Sequence, residues 1–316
     1  MPQRARLLFM RIFELVSVSS NILASALLIS VNKVLLSTKG FVWSCTLSGL
    51  HFASTAAFSY FSTAYYAETS AQDKTAPVIP PLDLFFFTTV SVVSIAGSQL
   101  SLKLNSVGFF QISKLGQIAL TCLLERILLS KRPSLATSFS ILVVLSGIYI
   151  TCIGTVVVTT GAGVVVACVA VFAASMQQLS VATLQTRYCL TPNDLVAQTF
   201  YLQAIVLVIF GPFVDWVLVE SFPTSWLELP YVARQFGHVW LLLSCTTAIF
   251  VNYSQIVCIK HLSPSGFQVL GNAKTVCILF LGYICFDGKV STQTLCGQGV
   301  AVVGMFLYGA SAAKKV

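Results

Sequence analysis

Two lysines stand where an apolar chain has no ordinary use for them. Lys114 lies within the stretch 107–129 and Lys274 near the middle of 264–286, and neither has an acid three or four residues away. An ionised lysine at the bilayer centre costs about 2.5–3.5 kcal/mol on insertion scales, so the two facing lipid would cost about 5–7 kcal/mol. A shared, water-filled cavity is the cheaper arrangement. Such a cavity would be strongly positive and would draw in an anion. The competing arrangement is an amine that snorkels to an interface or bonds backbone carbonyls. Lys114 is shallow enough for that, and Lys274 is not.

Polar residues gather around both. Gln111, Lys114, Gln117, Thr121 and Glu125 are spaced 3, 3, 4 and 4, which sets them on one helical face. Gln268, Gly271, Asn272 and Thr275 form a second polar face beside Lys274. Asn252 and Gln255 flank Tyr253 in the stretch 238–259, and Gln198, Tyr201 and Gln203 lie in 194–219. Any such row can instead serve as hydrogen-bonding glue between helices. That is the reading for Asn21, Ser25 and Asn32 in the first stretch and for the polar residues of the sixth. His51 reads as a satisfied packing residue.

The elements that must position these groups follow from composition. Hydrophobic residues make up 56% of 316, charged residues only 9%, and the mean hydropathy is +0.87, against about 25% charged in soluble domains. A soluble enzyme, a disordered chain and a disulfide scaffold are excluded. The ten cysteines form no C-x-x-C pair and fall mostly in apolar runs, so neither a metal site nor a disulfide framework is read. The sequence predicts an all-α polytopic membrane protein, a single domain over 1–316. Its ten spans are 11–34, 42–66, 83–102, 107–129, 134–153, 161–186, 194–219, 238–259, 264–286 and 292–312, each long enough to cross as a helix. Thr191-Pro192 and Ser263-Pro264 read as an N-cap followed by proline at the first helical position. Most links are short, so chain neighbours run antiparallel.

Charge sets the orientation. With the N-terminus in the cytosol, Arg4, Arg6, Arg11, Lys74, Arg126, Lys131, Arg132, Arg187, Lys260, Lys314 and Lys315 fall on that side. Lys33, Lys39, Lys103, Arg234 and Lys289 fall opposite, and of the 18 cations only Lys114 and Lys274 remain. The bias predicts both termini in the cytosol, with all four tryptophans at the far ends of the spans. The net charge of +8 therefore orients helices, and no nucleic-acid partner is read. Met1 to Met10 is too short for a typical transit peptide.

The halves, about 11–153 and 161–312, repeat weakly. Lys131-Arg132-Pro133-Ser134 followed by Gly147 lies 157 residues before Gly288-Lys289-Val290-Ser291 followed by Gly304. Five spans per half is odd, so the second half must be inverted, an arrangement found in secondary transporters with a site near the midplane.

Gly108-Phe-Phe-Gln-Ile-Ser-Lys114, Phe250-Val-Asn-Tyr253-Ser-Gln255 and Gly271-Asn-Ala-Lys274-Thr275 together resemble the triose-phosphate translocator and nucleotide-sugar transporter family of the drug/metabolite transporter superfamily. The Lys274-Thr275 pair resembles its KT group. The likeness extends to the plant UDP-rhamnose/UDP-galactose and UDP-xylose transporters and to subgroup E of solute carrier family 35. It takes in Asn32-Lys33 and Gly40-Phe41, hence nearly the whole chain. It implies ten helices in two inverted five-helix repeats.

The resemblance also implies roles. Lys114 and Lys274 match the lysines that hold phosphate in plastid translocators, and Tyr253 a tyrosine that approaches the ligand. Thr275 stands where those carriers have arginine. Without a bidentate fork a small phosphate ester is poorly served, and affinity spread over base, diphosphate and sugar fits better. Gly271-Asn-Ala-Lys274 is similar to the sugar-contacting motif of GDP-mannose carriers, and Phe200-Tyr-Leu-Gln203 stands where those carriers read guanine, only partly kept.

The expectation is therefore an antiporter of a UDP-sugar for a nucleoside monophosphate such as UMP, in the Golgi or endoplasmic reticulum membrane. Lys114 and Lys274 neutralise phosphate, and Tyr201, Gln203 and Gln198 face the base. Asn272, Tyr253, Gln111 and Thr275 complete the phosphate and sugar contacts. No cofactor, metal or catalytic residue is expected: there is no intramembrane acid pair, no metal-spaced histidine set and no activated nucleophile. The partners are the nucleotide ligands and the bilayer, with room for a homodimer. An organic-phosphate antiporter and a non-transporting membrane scaffold or regulator are the alternatives.

Overall fold

The computed structural model describes residues 3–38, 41, 43–69, 77–130, 133–153, 159–219, 238–269, 271 and 292–313. Among them all regular structure is helical. The helices are α1 (Gln3–Lys33, ending in a π-turn Val34–Thr38), α2 (Ser44–Thr69), α3 (Pro81–Leu104), α4 (Val107–Leu128), α5 (Leu135–Cys152), α6 (Gly161–Arg187), α7 (Pro192–Val219), α8 (His238–Leu262) and α9 (Thr292–Ala313). Residues 264–269 begin a further helix, and most of the expected span 264–286 lies outside the described residues. The helices outrun the apolar stretches at several ends, since hydropathy marks only the length that lipid covers.

Local chemistry sets the boundaries. Pro81 opens α3, where its missing amide hydrogen is no loss. The hydroxyls of Ser106, Ser134 and Thr160 accept from Phe109, Thr137 and Gly163 amides at 3.3, 3.2 and 3.0 Å, capping α4, α5 and α6. At α7 the expected cap is reciprocal: the Asp194 amide donates to Thr191 Oγ1 and the Thr191 amide to Asp194 Oδ2, at 3.2 and 2.9 Å. Ser263 Oγ accepts from the Gly266 amide at 3.3 Å, as its Ser-Pro signature predicts.

Among the described residues, five helices are long and apolar enough to cross a membrane: Val16–Leu36, Pro81–Leu104, Gly161–Arg187, Pro192–Leu218 and Val239–Leu262. The 26-residue α2 and the 22-residue α4 carry enough serine, threonine, glutamine and charge to dilute their hydropathy. Followed from neighbour to neighbour, packing runs α9, α5, α4, α6, α3, α7, α2, α8, α1. The outside of this arc is apolar and exposed, with Leu23, Phe139, Leu142, Phe172, Phe210, Phe250 and Phe306 among its residues, a surface suited to lipid.

Two crossings depend on glycine. A Cβ on Gly304 of α9 would sit 2.6 Å from the Val144 amide nitrogen of α5, and one on Gly147 would sit 2.8 Å from Ala301 Cα. In α2 and α7, a Cβ on Gly49 would meet the Val208 nitrogen and one on Gly211 the Thr46 nitrogen, each at 3.0 Å. Backbones therefore touch at both crossings, the close approach that small residues permit in membranes.

Three apolar clusters fill the interior. The largest includes Phe87 of α3, Val181 and Leu184 of α6, Leu195 and Phe200 of α7 and Ile256 and Ile259 of α8. It closes the end at which α6 finishes and α7 begins. Phe41, Trp43 and Leu47 pack with Leu35 near the start of α2. Ile118, Ile141, Val144 and Met305 join α4, α5 and α9.

Candidate functional site

Lys114 sits two turns into α4. Its Nζ lies 3.5 Å from Gln117 Oε1 and 5.1 Å from the centre of the Phe110 ring. The recess it borders is lined by Ser98 and Ser101 of α3 and by Ala167, Ala170 and Val171 of α6. These α6 residues lie opposite the exposed stripe Val165, Val169 and Phe172, so the recess is on the inner side of α6, and Lys114 borders it as an exposed residue. The amide oxygen and the ring face are both cation-seeking groups, and neither neutralises the charge.

The rest of the α4 row divides. Gln117, Thr121 and Glu125 are buried. Thr121 Oγ1 donates to Ser175 Oγ of α6 at 3.0 Å and to the Gln117 carbonyl at 2.8 Å. One oxygen of Glu125 has no hydrogen-bond partner among the described residues. The side chain of Gln111, and all of Asn272, Lys274 and Thr275, lie outside the described residues.

On α7 the three expected residues part company. Gln198 clasps the approach to α3, accepting from the Ile79 amide at 2.8 Å and donating to the Pro77 carbonyl at 2.9 Å. Tyr201 is 44% exposed. Gln203 is 1% exposed, and its Oε1 is unpartnered among the described residues. Tyr253 of α8 donates to Asn193 Oδ1 at 2.8 Å; Asn193 also accepts from Ser59 and donates to Thr63 of α2 at 3.1 Å. Asn193 thus ties α2, α7 and α8 beside the largest apolar cluster, and Tyr253 is brought to that knot. Asn252 donates to Thr55 at 2.9 Å.

The glue reading for α1 is met at Asn21 and Asn32 but not at Ser25, whose buried hydroxyl has no partner among the described residues. Asn21 donates to the Val251 carbonyl and Ser254 Oγ at 3.3 and 2.8 Å, and Asn32 accepts from Ser244 Oγ, which also bonds His51 Nε2 at 2.7 Å. In α6 only Ser175 acts so among the described residues. Gln178 Oε1 and both amide atoms of Gln185 are buried without partners among the described residues, as are Thr88 and Ser91 of α3. A buried unpaired polar atom costs about 1–3 kcal/mol, so such a set belongs where a polar solute can enter. The glue reading given to the polar residues of this span fails at Gln178 and Gln185, whose seven-residue spacing on the inner face of α6 was the signal for another role.

Asp215 was also missed. This fully buried carboxylate on α7 accepts from the Cys45 and Thr46 amides at 2.8 and 2.9 Å and from Thr46 Oγ1 at 2.7 Å. It caps the first turn of α2 from a different helix, where the macrodipole favours a negative charge.

An apolar-jacketed helical arc with an unneutralised inward cation and unsatisfied inner polar groups defines a membrane carrier for an anionic solute. Residues 15–309 match the triose-phosphate transporter family, and the chain belongs to it. It is 41% identical over 290 residues to UDP-rhamnose/UDP-galactose transporter 2 of Arabidopsis thaliana, covering 91% of this chain and 80% of that one. It is 31% identical over 292 residues to UDP-xylose transporter 2 of the same plant, covering 92% and 79%. A solved crystal structure only 14% identical superposes at a TM-score of 0.58 over 96% of this chain and 99% of that one, which establishes a shared fold.

Proposed function

We propose that the protein exchanges a UDP-sugar for UMP by alternating access, in a Golgi or endoplasmic reticulum membrane with both termini cytosolic. The observation that carries the reading is the position of Lys114: a cation at a recess between α3, α4 and α6, with no carboxylate among its contacts with the described residues. A nucleotide phosphate supplies the missing charge. The names of the similar plant proteins support a UDP-sugar as the solute. The orphaned Gln203 Oε1 supports a base contact, since the imide N–H of uracil is a donor of the kind it needs.

Ten helices in two inverted halves account for the packing. Counting the ninth span of the sequence, exchanging each helix for the one five places on turns the α3–α6 pair into α8–α1, and α3–α7 into α8–α2. The α2–α7 and α5–α9 pairs map onto themselves. The glycine contacts obey the same exchange at 157 residues (147 to 304, 144 to 301) and at 162 residues (49 to 211, 46 to 208). In sequence Lys114 and Lys274 are 160 residues apart, between those two offsets, and a pair of cations brought together by such a repeat would neutralise a diphosphate. Leaving them unpaired in an empty site is costly, which favours crossing only when loaded and hence exchange.

The test is transport. Purified protein in liposomes preloaded with UMP takes up UDP-sugars, and Lys114→Ala and Lys274→Ala each abolish uptake while the protein stays monodisperse. Active, folded protein that takes up no nucleotide sugar rejects the function. Exchange of triose phosphate for phosphate establishes the organic-phosphate antiporter instead, and undiminished exchange in either lysine variant removes the site.

A further inference from the structure

α6 carries a second site on its opposite face. Val165, Val169, Phe172, Met176, Ser180, Thr183 and Arg187 follow one another at spacings of four, three, four, four, three and four, a single stripe along the helix. The first three are exposed at 63, 49 and 52% and face lipid. The last four form the floor of a cleft of about 250 Å³, walled by Phe86 of α3 and Leu128 of α4. The cleft therefore opens sideways to the bilayer, away from Lys114. Its walls are apolar until the end of α6, where Arg187 and Asp83 stand at the mouth with nitrogen and oxygen 3.6 Å apart.

Those two charges are only partly spent. Asp83 Oδ2 accepts from the Tyr188 hydroxyl at 2.6 Å and faces Arg187 NH1, while Asp83 Oδ1 has no bond among the described residues. The Arg187 side chain is 66% exposed, and its five donors exceed what one long contact uses. We infer that the cleft holds one aminophospholipid, with an acyl chain along the α6 stripe, its phosphate on Arg187 and its ammonium on Asp83. The charge pattern selects the headgroup. A purely anionic lipid would meet the Asp83 carboxylate, and a quaternary ammonium brings no N–H for Asp83 Oδ1 to accept. The guanidinium suits phosphate because it can donate through two N–H groups.

Native mass spectrometry of the full chain, titrated with phosphatidylethanolamine, phosphatidylcholine or phosphatidylglycerol of matched acyl chains, tests this. The wild type retains one phosphatidylethanolamine in preference to the other two. Arg187→Gln and Asp83→Asn each weaken that retention about tenfold, the worth of one charge-assisted hydrogen bond. Thr183→Trp, which fills the floor, abolishes it. The two charge variants lie at the exposed mouth, so the test stands even if the tryptophan variant does not fold. Equal retention of the three lipids, a preference for phosphatidylglycerol, or unchanged retention in both charge variants overturns the assignment. None of these outcomes depends on nucleotide transport.

Discussion

Asp215 shows how a single residue can fasten two helices. Its carboxylate takes the amides of Cys45 and Thr46 and the hydroxyls of Thr46 and Ser44, so an alanine leaves four donors stranded. Asp215→Ala should lower stability by about 2–5 kcal/mol, read as a fall in the thermal unfolding midpoint in detergent; Asp215→Asn, which keeps one acceptor oxygen, should recover part of it. At the surface, the Tyr188 phenol is held above its ordinary pKa mainly by its hydrogen bond to Asp83. The neutral phenol is the bonded form, so this contact is complete below the ordinary tyrosine pKa and is lost as pH rises through the raised one. An absorbance titration of phenolate, with Tyr188→Phe as the reference, should show one tyrosine ionising later than the exposed ones. In Asp83→Asn that late transition should move down.

At the scale of elements, the close crossings separate glycines that are required from glycines that are merely present. Gly304 of α9 lies against the α5 backbone, while Gly299 on the same helix has nothing near a would-be Cβ. Gly304→Val should therefore destabilise by about 1–3 kcal/mol through overpacking, and Gly299→Ala should be neutral or slightly stabilising. Thermal unfolding of the two variants side by side measures the difference. The helices themselves were legible from hydropathy, proline and capping residues, because each of those signals is local. The Thr191–Asp194 cap could be anticipated from four adjacent residues. The Asp215 cap could not, because its donors lie about 170 positions away and only the folded chain brings them together.

The whole molecule was legible where an energetic argument forced a residue inward. Lys114 was singled out by the cost of a charge in lipid, and its amine stands beside the Gln117 amide and the Phe110 ring at a recess between α3, α4 and α6. The partners of Tyr253 and Gln198 were not legible, because an amide or phenol can be satisfied by helix, loop or ligand, and spacing alone does not choose among them. The knot around Asn193, next to the largest apolar cluster, closes one end of the arc.

The glycine crossings carry one further consequence. At each of them a residue of the earlier helix meets a residue of the later one, and a second pair, displaced by the same number of positions, meets in the reverse sense. That reciprocity is the contact rule of an isologous two-fold interface between identical subunits, here realised inside one polypeptide. The surfaces that meet at these crossings are thus self-complementary.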